Sequence, residues 1–300
     1  MQGKPATGVI GIGAMGMGVA KTLARAGFAP RVRDIRSEAE DEARAAGATV
    51  CASSADLARS CAVVITLVVD AAQTDAVLFG QDGAMQTLKA GSVVMMSSTV
   101  APSYTENLAA RLAERGILVL DAPVSGGPAR AHAGTMSMML AGVDKAFDLC
   151  RCVLEAISDR RFRISAHAGD GSKAKIVNNM LAGVNLAAAC EAMALAIKLG
   201  LDPRVLSDVV TASSGASWMF SDRMPRVLSG DYAPKAALAI LTKDLSILLE
   251  TAREQGFPAN IAETAHQAYV DAVARGHGAE DDAALIKLYQ ALAGIELPKK

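Results

Sequence analysis

The amino-acid sequence predicts an α/β fold in which a doubly wound parallel sheet is followed by an all-helical second domain. Short apolar runs alternate with amphipathic segments through the first half of the chain. Such alternation is typical of parallel strands that are joined by crossover helices. After about His167 no strand pattern recurs, and long segments rich in alanine and leucine follow. The chain is therefore expected to form two domains, over residues 1–166 and 167–300.

Five apolar runs in the first half have the length and composition of strands, and the short segment Arg31–Asp34 after Pro30 is predicted as a further strand. The run from Ala62 to Val69 is apolar at nearly every position, which is typical of a central parallel strand that is buried on both faces. The predicted strands are Gly8–Ile12, Arg31–Asp34, Ala62–Val69, Ser92–Met96, Ile117–Leu120 and Met136–Leu140.

Helix signals lie between and after these runs. Gly27 ends a helix predicted over Met15–Ala26, and a proline at the first turn favours another over Pro102–Arg115. Ser37 and Glu40 match the S-x-x-E pattern, which predicts a capping box at the start of a helix. In the second half the predicted helices are Lys175–Leu199, Pro203–Ala212, Ala236–Gln255, Ile261–Ala274 and Ala283–Ala293.

The first helix of the second half is long and apolar. Over about 25 residues it would span about 38 Å, a length that is typical of a helix that bridges domains or forms a subunit interface. Its apolar composition supports association, and we expect a homodimer or homotetramer. A membrane span is disfavoured, because Asn185, Glu191 and Lys198 would then lie in lipid at a cost of several kcal/mol. The N-terminus also lacks the pattern of a secretory signal. We therefore expect a cytoplasmic protein with no membrane partner.

Composition and charge argue against two further classes of protein. Lys and Arg total 30 against 31 Asp and Glu, and aromatic residues make up only 4%, so neither a basic surface nor stacking platforms for nucleic acid are expected. The five cysteines form no C-x-x-C pair and the four histidines show no metal-binding spacing. We expect free thiols and no metal site.

A glycine-rich turn after the first predicted strand indicates a dinucleotide site. The segment fits G-x-G-x-x-G and opens the first predicted helix, as in a Rossmann domain. The first glycine allows the tight turn, the second lets the backbone approach a pyrophosphate, and the third allows close packing of helix on sheet. The helix N-terminus would then face the phosphates. The residues of this predicted site are Gly11, Ile12, Gly13, Ala14, Met15 and Gly16.

Asp34, at the end of the second predicted strand, stands where an acid binds the ribose 2′-hydroxyl. Its charge favours NAD over NADP, because it would repel a 2′-phosphate. Arg33 and Arg36 flank it and offer an opposing interpretation, since they could bind that phosphate. We favour NAD as the cofactor, with both arginines as solvated surface residues.

Three other motifs stand out besides this glycine turn, whose full sequence is GIGAMGMG. They are SSTVAP at 97–102, DAPVSGGPARAHAGTM at 121–136 and GDGSKAKIVNN at 169–179. Together the four resemble the motifs of the β-hydroxyacid dehydrogenase family, the relatives of 3-hydroxyisobutyrate dehydrogenase. The resemblance covers nearly the whole chain and implies a nicotinamide-dependent oxidoreductase.

The resemblance also implies roles for individual residues. Thr99 and the pair Val68–Val69, which replaces a Leu-Pro pair of many relatives, would contact the cofactor, and Lys243 would close over it. The substrate carboxylate would be bound by Ser125, Gly126 and Gly127. Lys175 would be the catalytic base and Asn179 would hold the substrate. Because they lie four residues apart, Lys175 and Asn179 share a face of the predicted helix.

The expected reaction is hydride transfer from the β-hydroxyl carbon of a small hydroxy acid to NAD. A lysine can take the hydroxyl proton only if burial or a nearby positive charge favours its neutral form. Segments 70–80, 217–232 and 281–289 resemble a branch of the family that oxidises L-threonate, although residues 128–136 depart from it. Reduction of tartronate semialdehyde or a related short aldehyde acid is an alternative. A non-catalytic dinucleotide-binding module is an alternative of another class.

Overall fold

A computed structural model describes residues 3–298 of the chain. It divides into two compact units, of which the first ends at Lys175 and the second begins at Ile176. The first unit contains a nine-stranded sheet flanked by helices, and the second is built from helices. The predicted fold class is therefore confirmed.

The sheet of the first unit is mostly parallel. In spatial order, β3, β2, β1, β4, β5 and β6 pair in parallel, while β8 runs antiparallel to β6 and β7 and pairs in parallel with β9. The strands are β1 (Thr7–Ile10), β2 (Arg31–Arg33), β3 (Thr49–Val50), β4 (Val63–Thr66), β5 (Val93–Met96), β6 (Leu118–Asp121), β7 (Val124–Ser125), β8 (Met136–Ala141) and β9 (Ser158–Ser165).

Helices connect these strands and cover the sheet. All residues of β1, β4 and β5 are buried, as expected for strands with helices on both faces. The helices are α1 (Ala14–Arg25), α2 (Ser37–Ala45), α3 (Ser54–Ala58), α4 (Ala71–Phe79), α5 (Pro102–Ala113), α6 (Gly127–Ala133) and α7 (Asp144–Ile157).

Several local features of the first unit differ from the sequence-based expectations. Strands β3, β7 and β9 were not predicted. The residues of β9 are mostly exposed and include Arg160, Arg161 and Arg163. Helix α6 was not predicted either. The prediction of a capping box was wrong, because Ser37 is the first residue of α2 and not its N-cap, and no side chain caps this helix. Instead, the Glu40 carboxylate accepts from the Asp34 N–H at 3.1 Å and from Arg33 at 2.6 Å.

The second unit packs its helices around one apolar core, which includes Leu186, Met193, Met224 and Leu245. Helix α8 begins in the first unit and continues into the second. The helices are α8 (Asp170–Lys198), α9 (Pro203–Thr211), α10 (Trp218–Ser229), α11 (Leu238–Glu254), α12 (Asn260–Ala272) and α13 (Ile286–Ala293). Helix α10 was not predicted, because Pro225 interrupts its pattern.

Helix α8 is long and apolar enough to cross a membrane by length and composition alone. Its most apolar window is 44% buried within the protein. Asn179 is buried in this helix and hydrogen-bonded to protein partners. These features fit a helix that packs against protein, since polar groups in hydrocarbon are costly.

Candidate functional site

The carboxyl edge of the parallel strands collects most of the predicted cofactor residues. Gly11 follows β1, Asp34 follows β2, Val68 and Val69 follow β4, and Thr99 follows β5. In open parallel sheets, ligands bind outside this edge where the strand order reverses. Here the reversal falls between β1 and β4. The predicted cofactor residues of the first unit therefore lie where the topology favours a ligand.

The glycine turn has the geometry that a dinucleotide requires. Gly11 has a φ of 86°, and a Cβ there would lie 2.7 Å from the Leu67 carbonyl oxygen. A Cβ on Gly16 would lie 2.0 Å from the Gly11 carbonyl oxygen, whereas one on Gly13 would meet only the Arg36 guanidinium, at 3.7 Å. Gly11 and Gly16 thus shape the turn, and Gly13 leaves an open approach to its backbone. These residues fit a dinucleotide.

Asp34 ties the turn to the second strand. One carboxylate oxygen accepts from the Ile12 N–H at 2.8 Å, and the other accepts from the Arg36 N–H at 3.0 Å and its Nε at 3.1 Å. Burial by itself would raise the pKa of Asp34, but these hydrogen bonds hold it below its ordinary value. Asp34 therefore stays ionised. Arg33 and Arg36 each pair with a carboxylate, rather than being simply solvated.

The predicted carboxylate loop follows β7. Gly126 and Gly127 have φ values of 119° and 72°, a conformation that favours glycine. A Cβ on Gly127 would meet nothing within 4 Å, so its backbone is open to approach. A Cβ on Gly126 would lie 2.5 Å from Cδ of Arg130, which places that side chain against the loop. Ser125 is half-buried beside it.

Lys175 is buried in the first unit. It is only 8% exposed, and its Nζ donates to the Val124 carbonyl oxygen at 2.8 Å. Val124 immediately precedes Ser125, so the amine lies beside the predicted carboxylate loop. Lys173, two residues away, has a side chain that is 53% exposed and pairs with Glu106 and Asp170 at 2.9 Å. The structure thus separates one buried lysine from one surface lysine.

Asp121 is a buried residue that the sequence-based site did not include. It is fully buried, and its carboxylate accepts from the N–H groups of Gly169 and Ser172 at 2.8 Å and from the Ser172 hydroxyl at 2.9 Å. Burial raises its pKa to about 6, against hydrogen bonds from Ser172 and Gly169 that lower it. Asp121 thus binds the start of α8.

In the second unit, a short polar chain joins two of the predicted residues. Asn179 is 6% exposed, and its Nδ2 donates to Asp244 at 2.7 Å. The other Asp244 oxygen lies 2.8 Å from Nζ of Lys243. Asp244 therefore orients Asn179 through a hydrogen bond and lies at ion-pair distance from Lys243. No group of three or more side chains suited to a metal ion occurs among residues 3–298.

Comparison with known proteins decides the family. The model of the NAD binding domain of 6-phosphogluconate dehydrogenase matches residues 6–169, and that of the NAD-binding domain of NADP-dependent 3-hydroxyisobutyrate dehydrogenase matches residues 169–289. An L-threonate dehydrogenase of Cupriavidus necator is 51% identical over 98% of both chains. The chain belongs to the β-hydroxyacid dehydrogenase family. It is a nicotinamide-dependent oxidoreductase of hydroxy acids.

Two other members of the family show how far the similarity extends. An L-threonate dehydrogenase of Haemophilus influenzae is 44% identical, covering 97% of this chain and 96% of its own. A crystal structure of 3-hydroxyisobutyrate dehydrogenase from Salmonella typhimurium has a TM-score of 0.89 at 42% identity. It covers 94% of this chain and 99% of its own. The similarity therefore includes both units.

Two segments that resemble the threonate-oxidising branch of the family are joined by ion pairs. Arg223 on α10 makes a bidentate pair with Asp282, at 2.5 and 2.9 Å, and both residues are buried. Arg226 donates from a single nitrogen, Nη1, to both carboxylate oxygens of Asp281, at 2.9 and 2.7 Å. These pairs fasten segment 217–232 to segment 281–289. Phe220 is buried in the same core, whereas Trp218 is 51% exposed.

The residues that sequence reasoning missed belong to the motifs it used. Asp121 opens the motif DAPVSGGPARAHAGTM, and Asp244 immediately follows Lys243, which the resemblance had placed over the cofactor. Each binds a backbone or side-chain group at a distance of more than 45 positions along the chain. Their presence in the motifs was the available signal, but their partners were not visible in the sequence.

Proposed function

We propose that this protein oxidises L-threonate or a closely similar four-carbon sugar acid with NAD. The observation that carries the proposal is the buried amine of Lys175, 2.8 Å from the carbonyl that immediately precedes the Ser125–Gly127 loop. Similarity to L-threonate dehydrogenases at 44–51% identity supports the substrate. Nucleotide binding is assigned to residues 1–166, and substrate binding and subunit association to residues 167–300.

Each residue has a defined task in the proposed reaction. When bound, the nicotinamide supplies the hydride acceptor. Ser125 and the N–H groups of Gly126 and Gly127 bind the carboxylate, which fixes one end of the acid. Lys175 in its neutral form takes the proton of the hydroxyl group whose carbon loses the hydride, and Asn179 orients that group. The products are the oxo acid, the reduced cofactor and one proton.

The first experiment is a substrate panel for the wild-type enzyme. Reduction of NAD is followed by absorbance with L-threonate, D-erythronate, 3-hydroxyisobutyrate, D-glycerate and serine, and the oxidised carbon is identified by NMR of the product. L-Threonate should give the highest kcat/KM. An enzyme that reduces tartronate semialdehyde and oxidises D-glycerate, the product of that reduction, but does not oxidise L-threonate would contradict the proposal. Binding of NAD without any turnover would instead indicate a non-catalytic module.

A lysine substitution tests the assigned base. Lys175→Met should lower kcat by about 10²–10⁴-fold, the usual contribution of a general base, while the Kd for NAD changes little. Lys173→Met is the matched control, because Lys173 lies on the same helix with an exposed side chain; it should keep wild-type kcat. Equal activity of the two variants would refute the role of Lys175.

The preference for NAD over NADP is proposed from the charge of Asp34. Its ionised carboxylate would repel a 2′-phosphate, and it also holds Arg36 at 3.1 Å. Asp34→Ser should raise the ratio of kcat/KM for NADP to that for NAD by about tenfold or more, equal to about 1.4 kcal/mol. A wild-type enzyme that prefers NADP tenfold would overturn this proposal.

We also propose that the protein is a cytoplasmic homodimer or homotetramer. Helix α9 contains no buried residue, and its Val205 and Val209 are more than half exposed. On α8, Leu181 and Leu195 are exposed to a similar degree. Exposed apolar side chains that form a patch are typical of subunit interfaces, and we propose that these residues contribute to one. Light scattering coupled to size-exclusion chromatography tests the oligomeric state. A monomer at all protein concentrations would contradict this proposal.

A further inference from the structure

We propose that Asp121 is a positioning residue that fixes the catalytic lysine of the proposed function by anchoring the first turn of α8. It does not contact the reacting atoms in this proposal. The inference rests on the assignment of Lys175 as the base, and it adds a residue that holds this base in place.

The first argument is the completeness of the anchor. Helix α8 begins at Asp170, and the N–H groups at the start of a helix have no partner within it. Asp121 accepts two of them, from Gly169 and Ser172, and also accepts from the Ser172 hydroxyl. A carboxylate at this position is further favoured by the helix dipole. One side chain from another part of the chain thus caps α8.

The second argument is that the two contacts, Asp121 with Ser172 and Val124 with Lys175, are separated by the same number of residues on both segments. Asp121 and Val124 lie three residues apart on the segment that leads into the Ser125–Gly127 loop. Their partners, Ser172 and Lys175, lie three residues apart on α8. The segment therefore contacts α8 at two points: Asp121 binds Ser172 in the first turn, and the Val124 carbonyl oxygen accepts from the amine of Lys175. A shift of the first turn would move the amine relative to the carboxylate loop.

The third argument is the close packing around the carboxylate. A Cβ on Gly171 would lie 3.0 Å from Cγ of Asp121 and 2.8 Å from the Met139 carbonyl oxygen. The Ser172 hydroxyl lies 3.0 Å from that of Thr105, which is also fully buried. The helix start is thus closely packed against Asp121, Met139 and Thr105. The glycines of the GDGSK motif permit this approach.

The test compares Asp121→Ala, Asp121→Asn and Ser172→Ala. Asp121→Ala removes all three bonds and should lower kcat on the order of 10²-fold, as expected when a catalytic group is misplaced by about 1 Å. Asp121→Asn keeps one accepting oxygen and should restore most of kcat. Ser172→Ala loses the hydroxyl bond alone and should cause a smaller loss. The Kd for NAD should change little in each variant.

A second measurement does not depend on turnover. Hydrogen–deuterium exchange of the peptide that contains residues 166–175 should be faster in Asp121→Ala than in wild type, and near wild type in Asp121→Asn. Asp202→Ala is the matched control, because Asp202 caps α9 by accepting from the Arg204 N–H at 2.8 Å. It should leave both kcat and exchange in 166–175 unchanged.

Several outcomes would overturn the proposal. A folded Asp121→Ala variant with wild-type kcat would do so, as would a loss of kcat without faster exchange in residues 166–175. An equal loss of kcat in Asp202→Ala would also overturn it, because removal of any helix cap would then lower kcat. If Asp121→Ala does not fold, unchanged kcat and exchange in Ser172→Ala would decide against it. Failure of the proposed function is distinct, because it appears as an inactive wild-type enzyme.

Discussion

The buried pair of Arg223 and Asp282 gives the sharpest prediction about stability. Arg223→Met would leave the Asp282 carboxylate without its bidentate partner in a site that is only 3% exposed. Removal of one partner of a buried pair costs about 3–5 kcal/mol, because the remaining charge is stranded. At about 2–4 °C per kcal/mol, the melting temperature should fall by about 6–20 °C.

The assay is urea unfolding followed by circular dichroism, with thermal melting as a second probe. Arg151→Met is the matched control, because its pair with Asp148 has side chains that are 67% and 66% exposed; it should cost less than about 1 kcal/mol. The double variant Arg223→Met/Asp282→Leu removes both charges and should recover most of the loss. Below the melting transition, kcat should remain near wild type.

Two results would refute this reasoning. A loss below about 1 kcal/mol in Arg223→Met would show that the stranded carboxylate is hydrated or repartnered at little cost. A double variant as unstable as the single one would show that packing of the arginine stem, and not the unpaired charge, determines the loss. A collapse of kcat at unchanged stability would instead place the pair in the catalytic machinery.

The remaining predictions concern the cofactor turn and pH. Gly16→Ala, whose Cβ would lie 2.0 Å from the Gly11 carbonyl oxygen, should lower both stability and NAD affinity, the latter by about tenfold or more. Gly13→Ala should lower affinity alone, since its Cβ meets only Arg36; calorimetry of NAD binding and melting temperatures would separate the two, and equal stability losses would contradict this. The pKa of Asp121 is raised from 3.8 to about 6, so its folded form binds a proton more tightly than its unfolded form. Its contribution to stability is therefore fully present below pH 4 and is lost as pH rises through 6, by about 3 kcal/mol. The free energy of unfolding of wild type minus that of Asp121→Asn should fall over this range, and a flat difference would refute it.

The sequence predicted the buried parts of the sheet well, because their signal is strong. Strands β4 and β5 lie within their predicted apolar runs, and β1 begins one residue before its predicted range. The glycine turn could also be located, since only glycine satisfies the contacts at Gly11 and Gly16. In these places local sequence and burial give the same answer.

Elements without an apolar period could not be predicted in the same way. Strand β9 is mostly exposed and contains three arginines, so its pairing with β8 leaves no hydrophobic pattern. Helix α10 was not predicted because Pro225 lies inside it. Its N-cap, Ser217, accepts from the Phe220 N–H, and a serine at this position is a sequence signal for the start of a helix. In α6, a proline in the first turn was likewise overlooked.

The candidate site shows the same division. Motif spacing identified Lys175 as a residue of interest, but its burial and its bond to Val124 required coordinates. The partners of Asp121 and Asp244 are 48 to 65 positions distant along the chain, and only the fold brings them together. Sequence patterns therefore predicted which residues matter, and tertiary structure was needed to show what holds them.

The arginines of β9 have a consequence for behaviour at high concentration. This strand pairs with β8 on one side, and an open strand edge can template addition of another chain. Arg160, Arg161 and Arg163 outnumber the single aspartate on the strand, so two such edges would repel each other on approach. Because the screening length shrinks from about 8 Å at physiological ionic strength to about 3 Å at 1 M salt, this protection against aggregation weakens in concentrated salt.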